Sequence, residues 1–232
     1  MTSRAADRQI DHGSAGTTDP AGTTGSAALS ARRWFLVASP VLAGLFAVLG
    51  AASDPAVGKD GLVLWRAYAE NPDALQFKAF GLHWAFAFWL VPPLLIAGLV
   101  RSRGVWIANV AAFLGFVGIS TLPGLLFVDF YDSAIGQVSG AETTAQVNQA
   151  MEGMWGVPAM AVPGLIGFVL ALPLAAVAAW RAGLVRWWAP IAVVAGYVAF
   201  SGVATWNAVL TTVCFSVFAY ELARGTRPEA PA

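Results

Sequence analysis

Along the chain, stretches free of Asp, Glu, Lys and Arg alternate with short clusters of charge. Between Arg33 and Asp54 lie 20 uncharged residues, between Lys78 and Arg101 22, between Arg103 and Asp129 25, and between Glu152 and Arg181 28. A helix rising ~1.5 Å per residue needs ~20 apolar residues to cross ~30 Å of hydrocarbon, so each stretch predicts one spanning helix. The last stretch, 34 residues from Arg186 to Glu221, would make a helix about 51 Å long, too long for ordinary tilt. Ser201-Gly202 offers a break there, which divides the stretch in two. The pattern thus predicts an all-α, polytopic bundle of six transmembrane helices, at about 34–53, 79–100, 105–128, 154–180, 187–202 and 204–222, in a membrane domain over 32–223.

The flanks read differently. Residues 1–31 are Gly, Ala, Ser and Thr with scattered charges, and AGTT occurs at 15–18 and 21–24. Such a segment buries too little apolar surface to offset its ordering entropy, and reads as a disordered tail. Residues 224–232 form a second short tail. Two segments between spans carry helical signals. Asp60 precedes Leu62, Trp65 and Tyr68, an apolar stripe at helical spacing that Asn71-Pro72 ends. Ser139-Gly140-Ala141-Glu142 has the S-x-x-E form of a capping box, with helix formers up to Met151 and Gly153 as a stop. Both predict short helices on the outer membrane face.

Composition narrows the function. Hydrophobic residues make 58% of the chain and charged ones 11%, against about 25% charged in soluble domains. Lys plus Arg and Asp plus Glu balance at 13 each, so no basic surface for nucleic acid stands out. A single cysteine, Cys214, excludes an intrachain disulfide and a cysteine zinc cage. The two histidines are His83 and His12, and His12 lies in the polar tail, which excludes a haem held by two helix histidines. No P-loop, H-E-x-x-H or G-x-S-x-G occurs. No cofactor, metal or catalytic residue is expected, and the enzyme class is the least favoured.

Basic residues set the orientation. The six-span arrangement places ten of them on one side, Arg4, Arg8, Arg32, Arg33, Arg101, Arg103, Arg181, Arg186, Arg224 and Arg227, and only Lys59, Arg66 and Lys78 on the other. The positive-inside bias then puts both termini in the cytoplasm of a cell (plasma) membrane protein. The opposite face carries eight carboxylates against those three basic residues and reads as acidic. An alternative exists at the first span: Arg32-Arg33-Trp34-Phe35-Leu36 is similar to the core of a twin-arginine export signal, and Gly50-Ala51-Ala52-Ser53 could be cleaved.

A faint internal repeat is visible. Pro93 lies eight residues before Arg101 and Pro173 eight before Arg181, while Gly115-Phe116-Val117 answers Gly196-Tyr197-Val198 at an offset of 81. Either spans two and three repeat as four and five, as in parallel transport repeats, or the match is chance among apolar residues. With its Pro-bearing helix ending in Arg101-Ser102-Arg103-Gly104 and its Asn71-Pro72 before span two, the chain resembles uncharacterised actinobacterial multi-pass membrane proteins over about residues 60–200. That resemblance implies the six-span architecture and no catalytic residue.

Polar groups within or beside spans are the candidate site. His83 sits between Ala79 and Ala87, a small-residue stripe that turns it toward the bundle. Topology brings Asp129, Glu152, Trp206 and Asn207 to the same outer level, and His83 with Asp129 would be a proton-responsive pair within hydrogen-bond reach. The other reading is a histidine bonded to a neighbouring helix and carboxylates that meet water. Ala171, Ala175 and Ala179, like Ala195 and Ala199, offer helix contacts within the chain, with a membrane-protein partner or in a homo-oligomer. Abundant packing signals without catalytic ones point to a non-enzymatic integral membrane protein that binds membrane lipid or another membrane protein. The alternative is a small transporter or sensor with an outward-facing pocket around His83.

Overall fold

The computed structural model describes residues 21–201 and 205–226. Among them no strand occurs, and the helices follow as α1 (Ala21–Ala52), α2 (Gly61–Glu70), α3 (Pro72–Ala97), α4 (Val105–Leu125), α5 (Phe127–Ser139), α6 (Ala141–Glu152), α7 (Gly156–Arg181), α8 (Trp188–Phe200) and α9 (Thr205–Gly225). Five segments are long and apolar enough to cross a membrane: Ala27–Ala52, Pro72–Ala97, Val105–Ser139 (α4 with α5), Gly156–Arg181 and Thr205–Gly225. The chain is a helical membrane protein. The sixth apolar helix, α8, has 13 residues, a length of only about 20 Å.

Several boundaries move from their expected places, each for a local reason. α1 starts at Ala21, so residues 21–31 are helix where a tail was expected; Ala27, Ala28, Leu29 and Ala31 are helix formers with nothing to stop them. The rest of that tail, residues 1–20, lies outside the described residues, as do 202–204 and 227–232. α3 starts at Pro72, seven residues before the expected 79. Proline suits the first helical turn, where its missing N–H would have no partner anyway, so Lys78 becomes an internal residue of the helix. The capping box at 139–142 is not formed: Ser139 ends α5, Gly140 takes the N-cap position at φ 91°, and no side chain caps it. Glycine carries that backbone at little cost, and the turn falls there. Between Leu126 and Gly140 stands a further helix, α5, where the pattern ends span three at 128 and places no helix before 139.

The long helices close a ring. α1 packs on α3, α3 on α4, α4 on α7, α7 on α8, α8 on α9 and α9 on α1, with α3 touching α7 across the middle. The middle is filled by aromatic side chains. Trp89 of α3 lies 4.6 Å, centroid to centroid, from Phe168 of α7 and from Phe215 of α9, and 4.8 Å from Tyr197 of α8. Trp89 and Phe215 are fully buried. Edge-to-face and tilted contacts of this kind add about 0.5–1.5 kcal/mol each beyond their buried area.

Two crossings depend on absent side chains. A Cβ on Gly81 of α3 would stand 2.5 Å from the backbone nitrogen of Gly50 on α1, and one on Gly167 of α7 would meet the Leu114 carbonyl and Gly118 of α4. In lipid, where hydrophobicity does not draw helices together, such backbone approach supplies the packing. The Ala171, Ala175 and Ala179 stripe is fully buried within the chain, whereas Ala195 is exposed on α8.

The hairpins that sequence pairs as a repeat share only their first helix length. α3 and α7 both have 26 residues, but α4 has 21 and α8 has 13. Gly115 faces Pro93 of α3, while its counterpart Gly196 faces Phe215 and Cys214 of α9.

Charge is sorted between the ends of the bundle. One end holds Arg32, Arg33, Arg101, Arg103, Arg181, Arg186 and Arg224, with Glu221 as its acidic residue among the described ones. The two leading arginines act as caps there: Arg33 donates from Nη2 to the Ala223 carbonyl at 3.0 Å, and Arg32 from Nη2 to the Leu95 carbonyl at 3.3 Å. Both carbonyls lie at helix C-termini, where the helix dipole favours cations; that of Leu95 also accepts from the Gly98 N–H at 3.2 Å. Leu36, Ala43 and Ala47 of the same helix are buried in the bundle. Cleavage at 50–53 would remove a packed member of the ring. At the other end α2, α5 and α6 pack on one another as a cap.

Candidate functional site

The cap is where the polar side chains gather. Lys78, on the second turn of α3, reaches up between α2 and α5. Its Nζ lies 3.1 Å from Asp129 Oδ2 on α5 and donates to the Tyr68 hydroxyl of α2 at 2.6 Å. The same ammonium stands 4.6 Å from the centroid of the Tyr68 ring. The side chains of Lys78 and Asp129 are 11% and 17% exposed, so water screens the pair little. Asp129 Oδ2 has no aligned hydrogen-bond donor; charge holds the contact.

A second group of bonds locks α5 to α2 and α6. Ser133 donates to the Tyr68 carbonyl at 3.2 Å and receives a bond from Gln137 Nε2 at 2.9 Å. Asn148 of α6 donates to Asp132 Oδ1 at 2.7 Å and to the Thr144 carbonyl at 3.1 Å. Asp132, Ser133 and Thr144 are all buried. On the rim, Arg66 and Glu142 are 4.0 Å apart and mostly exposed, a contact worth little. Burial pushes the Tyr68 phenol above its ordinary 10.0, against the pull of the Lys78 ammonium.

His83 is placed elsewhere. Its Nδ1 lies 2.9 Å from the Pro123 carbonyl oxygen. That carbonyl belongs to the last turn of α4, which ends at Leu125 and leaves its terminal carbonyls without helical partners. A carbonyl only accepts, so Nδ1 carries the shared proton. Beside the ring lies a cleft of about 240 Å³ lined by Ala79, Phe80, Trp84, Leu126, Phe127 and Phe130. It opens on the flank of α3, where Phe80 and Trp84 are exposed.

The five residues singled out from sequence are therefore not one site. His83 and Asp129 do not pair: His83 caps α4, and Asp129 takes Lys78. Glu152 ends α6 with no bonded partner among the described residues, and Trp206 is 77% exposed near the start of α9, which packs mainly on α1 and α8. Asn207 stands beside it, its carbonyl accepting from Thr211 at 2.9 Å. The end expected to be acidic is also weaker than its carboxylate count, since Asp129 is paired with Lys78 and Asp132 is buried against Asn148.

Sequence reasoning missed Lys78 and Tyr68, the central pair of the cap. Lys78 looked like a span boundary because charge was used to delimit spans. The available signal was Asn71-Pro72, a helix start that places Lys78 inside α3. No group of three or more His, Cys, Asp or Glu side chains able to hold a metal occurs among the described residues.

No family model, curated protein or solved structure matches the chain. The functional reading therefore rests on the geometry.

Proposed function

We propose that the chain is a non-enzymatic integral membrane protein that works by binding a membrane partner, lipid or protein, against its lipid-facing flanks. The observation that carries this is how the polar groups are spent. His83 is committed to a helix end, Lys78 to Asp129 and Tyr68, Asp132 to Asn148, and Glu221 to the Arg186 N–H and Arg224. Such an arrangement uses these groups to hold helices together. The aromatic filling of the ring around Trp89 argues in the same direction, against a substrate path along the axis.

The reading includes six crossings, with both termini in the cytoplasm of the plasma membrane. Seven arginines at one end of the described bundle support this orientation. α8 would be the short crossing: it starts where the Arg186 N–H meets Glu221 at 3.2 Å, near the end of α9, and packs back along α9. Terminal tags probed in intact cells test it. Both should be protected, and an outside C-terminus would refute the α8–α9 hairpin as two crossings.

A second reading, a sensor or small transporter, is favoured by one observation: the cleft beside the His83 ring. Purification in mild detergent discriminates. A retained membrane protein or lipid supports the first reading, and a lone chain holding a small polar ligand supports the second.

A further inference from the structure

The arginine end holds a groove that the capping role of Arg32 and Arg33 does not explain. It has a volume of about 390 Å³ and lies where α1, the end of α3 and the end of α9 meet. This falls within the about 300–1,000 Å³ of small-molecule sites. Its walls are mostly apolar, from Leu29, Leu36 and Leu99, and its polar groups are the two guanidiniums with the Ser30 and Thr226 hydroxyls.

Each arginine has donors to spare. A guanidinium carries five N–H groups. Arg33 uses Nε for Thr226 Oγ1 at 3.2 Å and Nη2 for the Ala223 carbonyl, and Arg32 uses Nη2 for the Leu95 carbonyl. The guanidiniums are thereby fixed in place before any ligand arrives. Gly98 makes the room for one of them: a Cβ there would collide with the Arg32 Nη2. The one carboxylate described at this end, Glu221, is buried and already bonded to Arg224 and the Arg186 N–H. It does not neutralise the groove.

We infer that this groove binds one anionic phospholipid, its phosphate on Arg32 and Arg33 and the start of an acyl chain along the exposed Leu99. Charge and apolar wall together select this occupant. A soluble anion would leave Leu29 and Leu99 wet, and a zwitterionic lipid would bring its own headgroup cation beside two guanidiniums, offsetting the attraction of its phosphate. The placement fits the chain's geometry, because Arg32 and Arg33 stand directly ahead of the apolar run of α1, at the level of headgroups. The inference rests on the reading above that the protein binds within the membrane, and it names the class of lipid and its place.

The test is native mass spectrometry of the full chain released from nanodiscs of phosphatidylglycerol and phosphatidylcholine in equal parts. The wild type should retain phosphatidylglycerol in preference, one lipid per chain. Arg32→Gln should lower that retention about fivefold, the effect of one juxtamembrane charge, and Arg32→Lys should restore most of it. Because Arg32 also caps α3, Leu99→Trp provides an independent probe: it fills the groove, leaves both guanidinium contacts intact, and should expel the lipid without lowering the thermal midpoint. Equal retention of the two lipids overturns the inference, as does a preference that survives both Arg32→Gln and Leu99→Trp. Displacement by inorganic phosphate alone would mark a free-anion site, and a dimer that excludes lipid would mark a second copy as occupant; either result refutes the phospholipid. If no lipid and no protein partner is retained at all, the binding reading itself falls. If phosphatidylcholine is retained without preference, only the anionic site falls.

Discussion

Replacing Lys78 by Met should destabilise the protein by about 3–5 kcal/mol, the cost of leaving one member of a buried ion pair behind. The magnitude follows from the geometry. Two unit charges 3.1 Å apart attract by about 5 kcal/mol at an effective dielectric of about 20. With both side chains less than a fifth exposed, solvent cannot replace that partner cheaply. The two single changes should differ. Lys78→Met strands the Asp129 carboxylate, whose buried Oδ2 has no aligned donor. Asp129→Asn leaves the ammonium with the Tyr68 hydroxyl and ring, so its cost should be smaller, about 1–3 kcal/mol. Changing both, Lys78→Met with Asp129→Leu, should recover much of the loss, because an apolar pair carries no desolvation penalty. The assay is reversible unfolding in detergent followed by tryptophan fluorescence, arranged as a double-mutant cycle with a coupling of at least about 2 kcal/mol expected. Two single losses below about 1 kcal/mol that simply add would refute the ion pair as the lock between α3 and α5.

Three further outcomes follow from particular contacts. His83→Leu should cost about 1 kcal/mol of stability, as for one interhelical hydrogen bond, with partner or lipid retention unchanged; lost retention at unchanged stability would favour the sensor reading instead. Gly81→Ala should force α1 from α3 and cost about 1–3 kcal/mol, seen as a lower thermal midpoint, and an unchanged midpoint would show that the helices do not meet at Gly50. Because Tyr68 is raised above its ordinary 10.0 in the folded cap, the unfolded chain releases this proton first. The phenol's contribution is then complete below 10.0 and declines as pH rises beyond it; Tyr68→Phe should flatten that part of the stability–pH curve, and an identical curve would contradict the burial.

Much of the bundle could be read directly from charge spacing and proline, because in a bilayer the covalent neighbour list nearly decides a helix. A run of about 20 uncharged residues has to satisfy its own backbone hydrogen bonds, so α1, α3, α4, α7 and α9 occur close to where the runs lie. The sorting of arginine to one end follows from the same count. The two short helices also announced themselves, α2 through its apolar stripe and α6 through its helix formers.

Tertiary structure decided what the polar residues do. Sequence leads one to expect His83 and Asp129 at one level, but not which side of its helix each one faces. That depends on rotation of α3 against α4 and α5, set by contacts such as Gly81 on Gly50, Gly118 on Gly167, and the turn at Leu126 that begins α5. Rotation gave Asp129 to Lys78 rather than to His83, gave His83 a helix end to cap, and left Trp206 and Asn207 on a helix that packs elsewhere. The double role of Arg32 and Arg33 was hidden for the same reason. Their partners, the Leu95 and Ala223 carbonyls, are 63 and 190 residues distant along the chain. Only packing of three helices brings carbonyls that any residue could supply to two particular guanidiniums.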